Sequence, residues 1–448
     1  MRTPKPTTLA LTLAIAFPAI AAAQATDTKK DPTKVAQAGG KGGMNAEQEA
    51  ELNRVVVKAE ALEDSRDESG LKGFKVSGYA DVAWVYNANK ERGTFQFLVP
   101  NDQEPYGYDN SYFGTVSLDV QKETESGTRY RLTLIPKRGI GDFQGYASIV
   151  HEATVSIPLG GVNLFAGQIP DWQGYEYVQP TLNKLISHNL LFDFTLPYGY
   201  TGAGLEFGLG DLAMKAALVN VNTAIRPNGE VVPALVFRGD YEVSEFLGFG
   251  FAGLFGPKAN LRAELDEVGN PVTGEPYDLE NTVAATIEAD FWYTRGDLTL
   301  NGHVAYGMQK EAAVTADPDT GELRDATWYG ASALLGYKLT PRLEGILRGD
   351  YIFNSDNGGG LLDWNFADAV NGIGPDQLGG DPEKGADRYA VTVGLNYAMN
   401  ANATFKLEYR YDGASQNVFG NKDALDGGPS PDYGKSNSLI STAVVVFF

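Results

Sequence analysis

Apolar and polar residues alternate with period two along most of the chain, the spacing of a strand with one dry face and one wet face. Residues 74–87 read FKVSGYADVAWVYN. Phe74, Val76, Gly78, Ala80, Val82, Trp84 and Tyr86 fall on one face, and Lys75, Ser77, Asp81 and Asn87 on the other. The pattern returns at 388–399, where Tyr389, Val391, Val393, Leu395 and Tyr397 oppose Arg388, Thr392 and Asn396. At 404–412, Phe405, Leu407, Tyr409 and Tyr411 oppose Lys406, Glu408, Arg410 and Asp412. A face made wholly of charge is hard to bury in a sandwich core and easy to place against water inside a barrel.

Connections alternate in length as well. Tight links at Glu125-Ser126-Gly127, Leu159-Gly160-Gly161, Gly210-Asp211, Arg295-Gly296-Asp297, Thr340-Pro341 and Asn400-Ala401-Asn402 join pairs of strands. Between those pairs lie long loops over roughly 88–110, 138–147, 170–198, 222–232, 257–278, 311–326, 355–386 and 413–435. The count is about sixteen strands, an even number that returns both ends of the barrel to the side of the short turns. The expected fold is all-β, a transmembrane antiparallel β-barrel with short periplasmic turns and long extracellular loops, spanning residues 72–448. In lipid every backbone amide must pair, so strands close on themselves, apolar side chains face acyl chains and polar ones face the lumen.

Aromatic pairs near strand ends, Trp84 with Tyr86, Phe291 with Tyr293, Tyr351 with Phe353 and Tyr409 with Tyr411, fit interfacial girdles. The last strand, LISTAVVVFF, ends on Phe448 in phase with Val446, Val444, Thr442 and Ile440. A terminal aromatic of this kind resembles the signal read by the outer-membrane barrel-assembly machinery.

The first residues read as an address. Arg2 and Lys5 precede an apolar run from Thr7 to Ala22 that Pro18 interrupts, and Ala21-Ala22-Ala23 fits a small-residue cleavage site. The run is shorter than the roughly 18 to 20 apolar residues of a spanning helix, so residues 1–23 are expected to be a signal peptide. No second stretch of that kind follows, so the exported chain is soluble or crosses a membrane as strands. Residues 24–71 are polar and free of aromatics, with Gly39-Gly40-Lys41-Gly42-Gly43 as a spacer, and read as a flexible periplasmic segment. Within it, 47–64 carries at most a short helical stripe. LNRVVVKA at 52–59 resembles the energy-coupling box of TonB-dependent receptors, which implies a periplasmic partner for these residues, although no plug domain follows here.

Composition narrows the classes. The 448 residues include no cysteine, which removes disulfide scaffolds and cysteine-ligated metal centres. A net charge of −21 argues against a nucleic-acid partner. Hydrophobic content of 43% is too high for a disordered chain despite 53 glycines.

If the alternation holds its phase, Arg129, Arg131, Lys137, Arg238, Lys338, Arg348, Arg388, Lys406 and Arg410 face the lumen. So do Asp81, Asp119, Glu288, Asp290, Glu344, Asp350 and Glu408. Opposed bases and acids make a transverse field that selects among charged solutes, while the plainer role is to keep a wet wall solvated. Arg129 with Arg131 stands out, because neighbouring guanidiniums on one face imply an anion contact or acid partners. The loop at roughly 170–198, with Asp171, Trp172, Tyr175, Glu176, Tyr177, His188 and Phe192, is the constriction candidate. Its aromatics favour packing against the inner wall or an adjacent protomer over stacking on sugars in transit.

Acidic loop residues, among them Asp317, Asp319, Glu322, Asp376, Asp381, Glu383, Asp423, Asp426 and Asp432, read as solvated. DPDTGEL at 317–323 lacks the spacing of an EF-hand, and no metal or cofactor is expected. His151, His188 and His303 sit in no catalytic motif, so no enzyme activity is expected.

Residues 166–207, AGQIPDWQGYEYVQPTLNKLISHNLLFDFTLPYGYTGAGLEF, carry in order Gly167 with Ile169, Gly174-Tyr175-Glu176, Pro180, Asn183, Ser187, Leu191-Phe192, Pro197 and Thr201-Gly202. This segment resembles the second putative β-barrel porin family, the OmpL-like one, with His188 where that family is expected to carry arginine. The resemblance implies an outer-membrane pore for small hydrophilic solutes, seated in outer-membrane lipid, with a homotrimer as one assembly. An energy-coupled or partner-gated transporter and a closed adhesive surface barrel are the competing readings.

Overall fold

The computed structural model describes residues 72–98, 114–136, 142–143, 146–147, 149–197, 199–221, 233–259, 281–313, 317, 319–320, 324–354, 376–379, 384–426 and 428–448. The expectations for the signal peptide, the polar segment with its 52–59 box, and Lys137 lie outside the described residues. Residues 73–448 form one compact unit.

In chain order the strands are β1 (Phe74–Asn87), β2 (Arg92–Gln96), β3 (Val116–Glu123), β4 (Arg129–Leu134), β5 (Asp142–Phe143), β6 (Tyr146–Ala147), β7 (Val150–Leu159), β8 (Val162–Pro170), β9 (Gly199–Leu209), β10 (Leu212–Val221), β11 (Ala234–Ser244), β12 (Leu247–Ala259), β13 (Asn281–Arg295), β14 (Leu298–Gln309), β15 (Ala326–Thr340), β16 (Leu343–Asn354), β17 (Arg388–Asn400), β18 (Ala403–Ala414), β19 (Phe419–Gly420), β20 (Tyr433–Gly434) and β21 (Ser436–Phe447). Two short helices, α1 (Leu190–Thr195) and α2 (Lys422–Asp426), lie in connections. Among the described residues no helix is long and apolar enough to cross a membrane.

Each barrel strand pairs antiparallel with the next, and the sheet closes where β21 pairs with β18 on one edge and β1 on the other. Ala443 is the register partner of both Ala83 and Lys406, and Phe448 and Gly78 exchange both backbone hydrogen bonds at 3.1 Å. Residues 92–96, which the loop pattern placed in a connection, pair with the far half of β1 while β3 pairs with its near half. The two segments are one stave interrupted by an excursion, so the closed barrel has sixteen staves. The reason is local: RGTFQ keeps the two-residue period, and Leu98 N–H donates to Gly114 O at 2.7 Å across the excursion. The pair Glu245-Phe246 makes a further tight turn that carries no glycine or proline signal.

Burial follows the pleat. In β15, Tyr329, Ala331, Ala333, Leu335 and Tyr337 are exposed on the outer face, while Trp328, Gly330, Ser332, Leu334 and Gly336 are buried inside. In β17 the exposed series Tyr389, Val391, Val393 and Leu395 alternates with buried Arg388, Ala390, Thr392 and Gly394. An apolar exterior around a polar interior inverts the soluble pattern.

Candidate functional site: the barrel interior and its inserted loop

The connection between β8 and β9 does not stay outside. It runs down the inner wall formed by β13–β18 and returns to α1, whose first turn Asn189 caps by accepting from Phe192 N–H at 2.8 Å. Its turning point is deep, because Lys184 pairs with Glu344, one residue past the start of β16.

Three wall groups hold the descent. Arg238 Nη1 donates to Trp172 O at 2.8 Å, Gly174 N–H donates to Glu288 Oε1 at 2.8 Å, and Thr286 Oγ1 donates to Gln173 Oε1 at 3.2 Å. Below them the Tyr175 hydroxyl meets Ser332 Oγ at 2.7 Å. Glu176 meets Arg348 Nη1 at 2.9 Å, and Arg348 also donates to Ser187 O at 2.7 Å and His188 O at 2.8 Å. Arg410 adds a second donor to His188 O at 2.7 Å.

At the turning point Lys406 Nζ donates to the carbonyls of Pro180 (2.7 Å), Asn183 (2.6 Å) and Leu185 (3.4 Å). Glu408 accepts from Ile186 N–H at 2.6 Å and Ser187 N–H at 3.1 Å. A returning loop exposes backbone groups that neither helix nor sheet can satisfy, and these wall charges satisfy them.

Apolar contacts complete the seat. Leu185 packs with Leu334, Ile346 and Tyr175, while Leu190, Leu191 and Phe194 join a cluster with Trp328 and Ile352. Glycines on the wall make room: a Cβ on Gly330 would stand 2.5 Å from Leu191 Cδ2, and one on Gly394 would stand 2.4 Å from Leu185 Cδ2.

The remaining lumen-facing residues divide by place. Asp350 pairs with Arg348 at 2.9 Å, Arg388 and Arg410 share Asp412 at 3.1 and 2.9 Å, and Asp290 pairs with Arg238 at 2.8 Å. Buried Asp81 accepts from Gly114 N–H at 3.2 Å. Arg131 lies between Asp119 (3.1 Å) and Glu152 (3.2 Å), and Arg129 reaches Glu206 at 3.7 Å, so both arginines have acid partners. Lys338 continues the inward phase of β15 beyond Gly336, opposite Glu344 of β16, and stands exposed close to the Thr340–Leu343 turn.

Within the loop, Asp171 accepts from the Tyr200 hydroxyl and from Gln173 N–H at 2.9 Å. Trp172 packs edge-on to Phe165 and Tyr200. His188 stacks on Phe192 at 4.1 Å and bonds Tyr177 O at 2.8 Å. Tyr177 itself is half exposed. Among the described residues no group of three acidic or histidine side chains is placed to hold a metal ion.

Opposite the loop, between it and β3–β13, a cavity of about 950 Å³ remains. Arg131, Glu152, Lys215, Arg238 and Asp290 face it from the wall, and Trp172 and Tyr177 face it from the loop.

Residue periodicity identifies the inward charges of the wall but not their partners in the loop. One signal was available: β15 places Ala326, Trp328, Gly330, Ser332, Leu334 and Gly336 inward, an uncharged stripe that a water-filled wall does not require.

The family described as "Protein of unknown function (DUF3138)" matches residues 10–448. No curated protein matches the chain. Among solved structures, the chain is similar to in-vitro folded OmpT, an outer membrane protein of Vibrio cholerae, at 11% identity and a TM-score of 0.53, over 84% of this chain and 97% of that one. The trimer form of the same protein matches at 11% identity and a TM-score of 0.52, over 84% and 99%. At this identity the likeness concerns the fold.

Proposed function

The chain belongs to the DUF3138 family, and from that premise and the barrel geometry we propose that it is an outer-membrane channel of a Gram-negative bacterium for the diffusion of small hydrophilic solutes. The observation that carries this reading is the cavity of about 950 Å³ beside the inserted loop, in a closed barrel with an apolar exterior and a charged interior. A lipid-facing wall of this kind has no use in water, and the charges beside the loop, among them Arg131, Glu152 and Lys215, line a space that water or solute can fill.

On this reading residues 1–23 are removed on export, residues 24–71 lie in the periplasm, and the short turns face that side. Phe448 serves the assembly machinery, and the resemblance of 166–207 to OmpL-like porins points the same way. The loop 171–198 narrows the passage, with the wall charges holding it. Assembly as a homotrimer is the arrangement we favour, in keeping with the trimer form described for one similar structure.

The test is conductance of the purified full chain in a planar bilayer, beside a variant with residues 174–188 replaced by a short Gly-Ser link. A channel narrowed by its loop gives stable steps that grow in the variant. Absence of steps from both proteins overturns the reading. A gated channel is the second reading, favoured by the depth of the loop: steps would then appear only in the variant.

A further inference from the structure

Resting on the channel reading above, we infer that the passage beside the inserted loop prefers cations, and that Lys215 is the side chain that limits the preference.

The inference starts from how the arginines of the wall are matched. Arg131 carries two carboxylates, Asp119 at 3.1 Å and Glu152 at 3.2 Å. Arg238 carries three, Asp240 at 2.7 Å, Asp290 at 2.8 Å and Glu288 at 3.4 Å. His303 approaches Glu288 from β14, and even with its charge counted that cluster keeps an excess of one negative charge. Arg129 and Glu206 balance each other across 3.7 Å. The clusters built around these three arginines are therefore neutral or negative.

Lys215 is placed differently. It projects from β10 into the cavity, and its Nζ lies 4.6 Å from the centre of the Trp172 ring on the loop. Among the described residues no carboxylate lies within ion-pair distance of it. A cation on an aromatic face keeps most of its field, whereas one locked in a carboxylate pair loses it. Lys215 is thus a positive charge that a permeating ion meets unmasked beside the loop, with exposed Lys75 of β1 lining the same cavity.

A second, independent observation concerns the whole barrel. Residues 1–72 carry ten basic and ten acidic side chains, so the full net charge of −21 belongs to 73–448. The outer wall is apolar, which leaves this charge to the interior and the connections. Such a field raises the local concentration of cations at the mouths and in the lumen.

The experiment is the reversal potential of the full chain in a planar bilayer under a tenfold KCl gradient, repeated for Lys215→Met and for Glu152→Gln/Asp240→Asn. The expected wild-type result is a potassium-to-chloride permeability ratio above one. One unbalanced charge about 7 Å from the ion at water-like dielectric shifts cation and anion about threefold each in opposite directions, roughly a sevenfold permeability ratio. Lys215→Met raises the ratio by about that factor, and the double carboxylate variant lowers it. Raising the salt to about 1 M shrinks all three differences, because the Debye length falls to about 3 Å.

A wild-type ratio at or below one overturns the cation preference and leaves the channel reading standing. A cation-selective channel unmoved by Lys215→Met overturns the assignment of Lys215. No conductance from any of the proteins overturns the channel reading and this inference together.

Discussion

Arg348 of β16 and Glu176 of the inserted loop meet at 2.9 Å with both side chains withdrawn from solvent, and Asp350 takes another edge of the same guanidinium at 2.9 Å. The pair joins residues 172 positions apart in the chain. It makes the loop part of the barrel's interior rather than an appendage to it.

Arg348→Met leaves two buried carboxylates without their cation. Removal of one partner from a buried pair costs about 3–5 kcal/mol, and the loop already opposes docking through the conformational entropy it loses on ordering. The loop is expected to leave the wall while the sheet persists. Trypsin should then cut after Lys184 in a barrel that still migrates as folded on an unheated gel, and the wild type should resist under the same conditions.

Gly394→Leu acts by steric exclusion instead of charge. An added Cβ falls 2.4 Å from Leu185 Cδ2, and three further carbons cannot be accommodated. Overpacking of this kind costs about 1–3 kcal/mol. A Cβ at Gly330 would stand 2.5 Å from Leu191 Cδ2 and also 2.5 Å from the Tyr351 carbonyl of β16, so a substitution there strains the wall as well as the loop. Gly394→Leu should show raised unit conductance with unchanged strand content by circular dichroism, and Gly394→Ala, which only needs the tip of Leu185 to turn, should leave the conductance near that of the wild type.

Lys406→Met removes the donor to three loop carbonyls at once. Each acceptor left dry costs about 1–3 kcal/mol, so water is drawn to the turning point of the loop. Hydrogen exchange at the amides of Ile186 and Ser187, which Glu408 holds in the wild type, should rise by at least tenfold, with the amides of β17 and β18 unaffected.

Asp376 ties the β16–β17 connection to the β18–β21 connection. Partial burial alone would raise its carboxyl, but the N–H groups of Asn417 and Leu378 and the Asn417 side-chain amide outweigh that and hold it below the usual carboxylate range. Because the folded value is lowered, the tie is present above the unfolded carboxylate pKa of about 4 and is lost as pH falls through the folded value. Protection of Asn417 N–H, relative to an unstructured amide at the same pH, should therefore hold from neutral pH down to about 4 and fall only below it. Asp376→Asn should remove that pH dependence.

Much of the barrel is legible from residue order. The two-residue alternation of β1, β17 and β18 and the tight turns at 160–161, 210–211 and 296–297 follow from local stereochemistry, as does the phase that turns Arg348, Arg388 and Arg410 inward. Each depends on neighbours a few residues away, and a closed sheet with a dry exterior leaves that phase no freedom.

What only the tertiary structure decided is where the connection 171–198 goes and what it leaves open. Lys406 meets Pro180 across 226 positions, and nothing local to either residue encodes that contact. The uncharged inner stripe of β15 and the glycines at 330 and 394 become intelligible once Leu185 and Leu191 are seen against them. The strand pattern determined a barrel with a charged interior. The docking of one loop by long-range charge pairing and close packing decided which half of that interior is filled and which half remains a cavity.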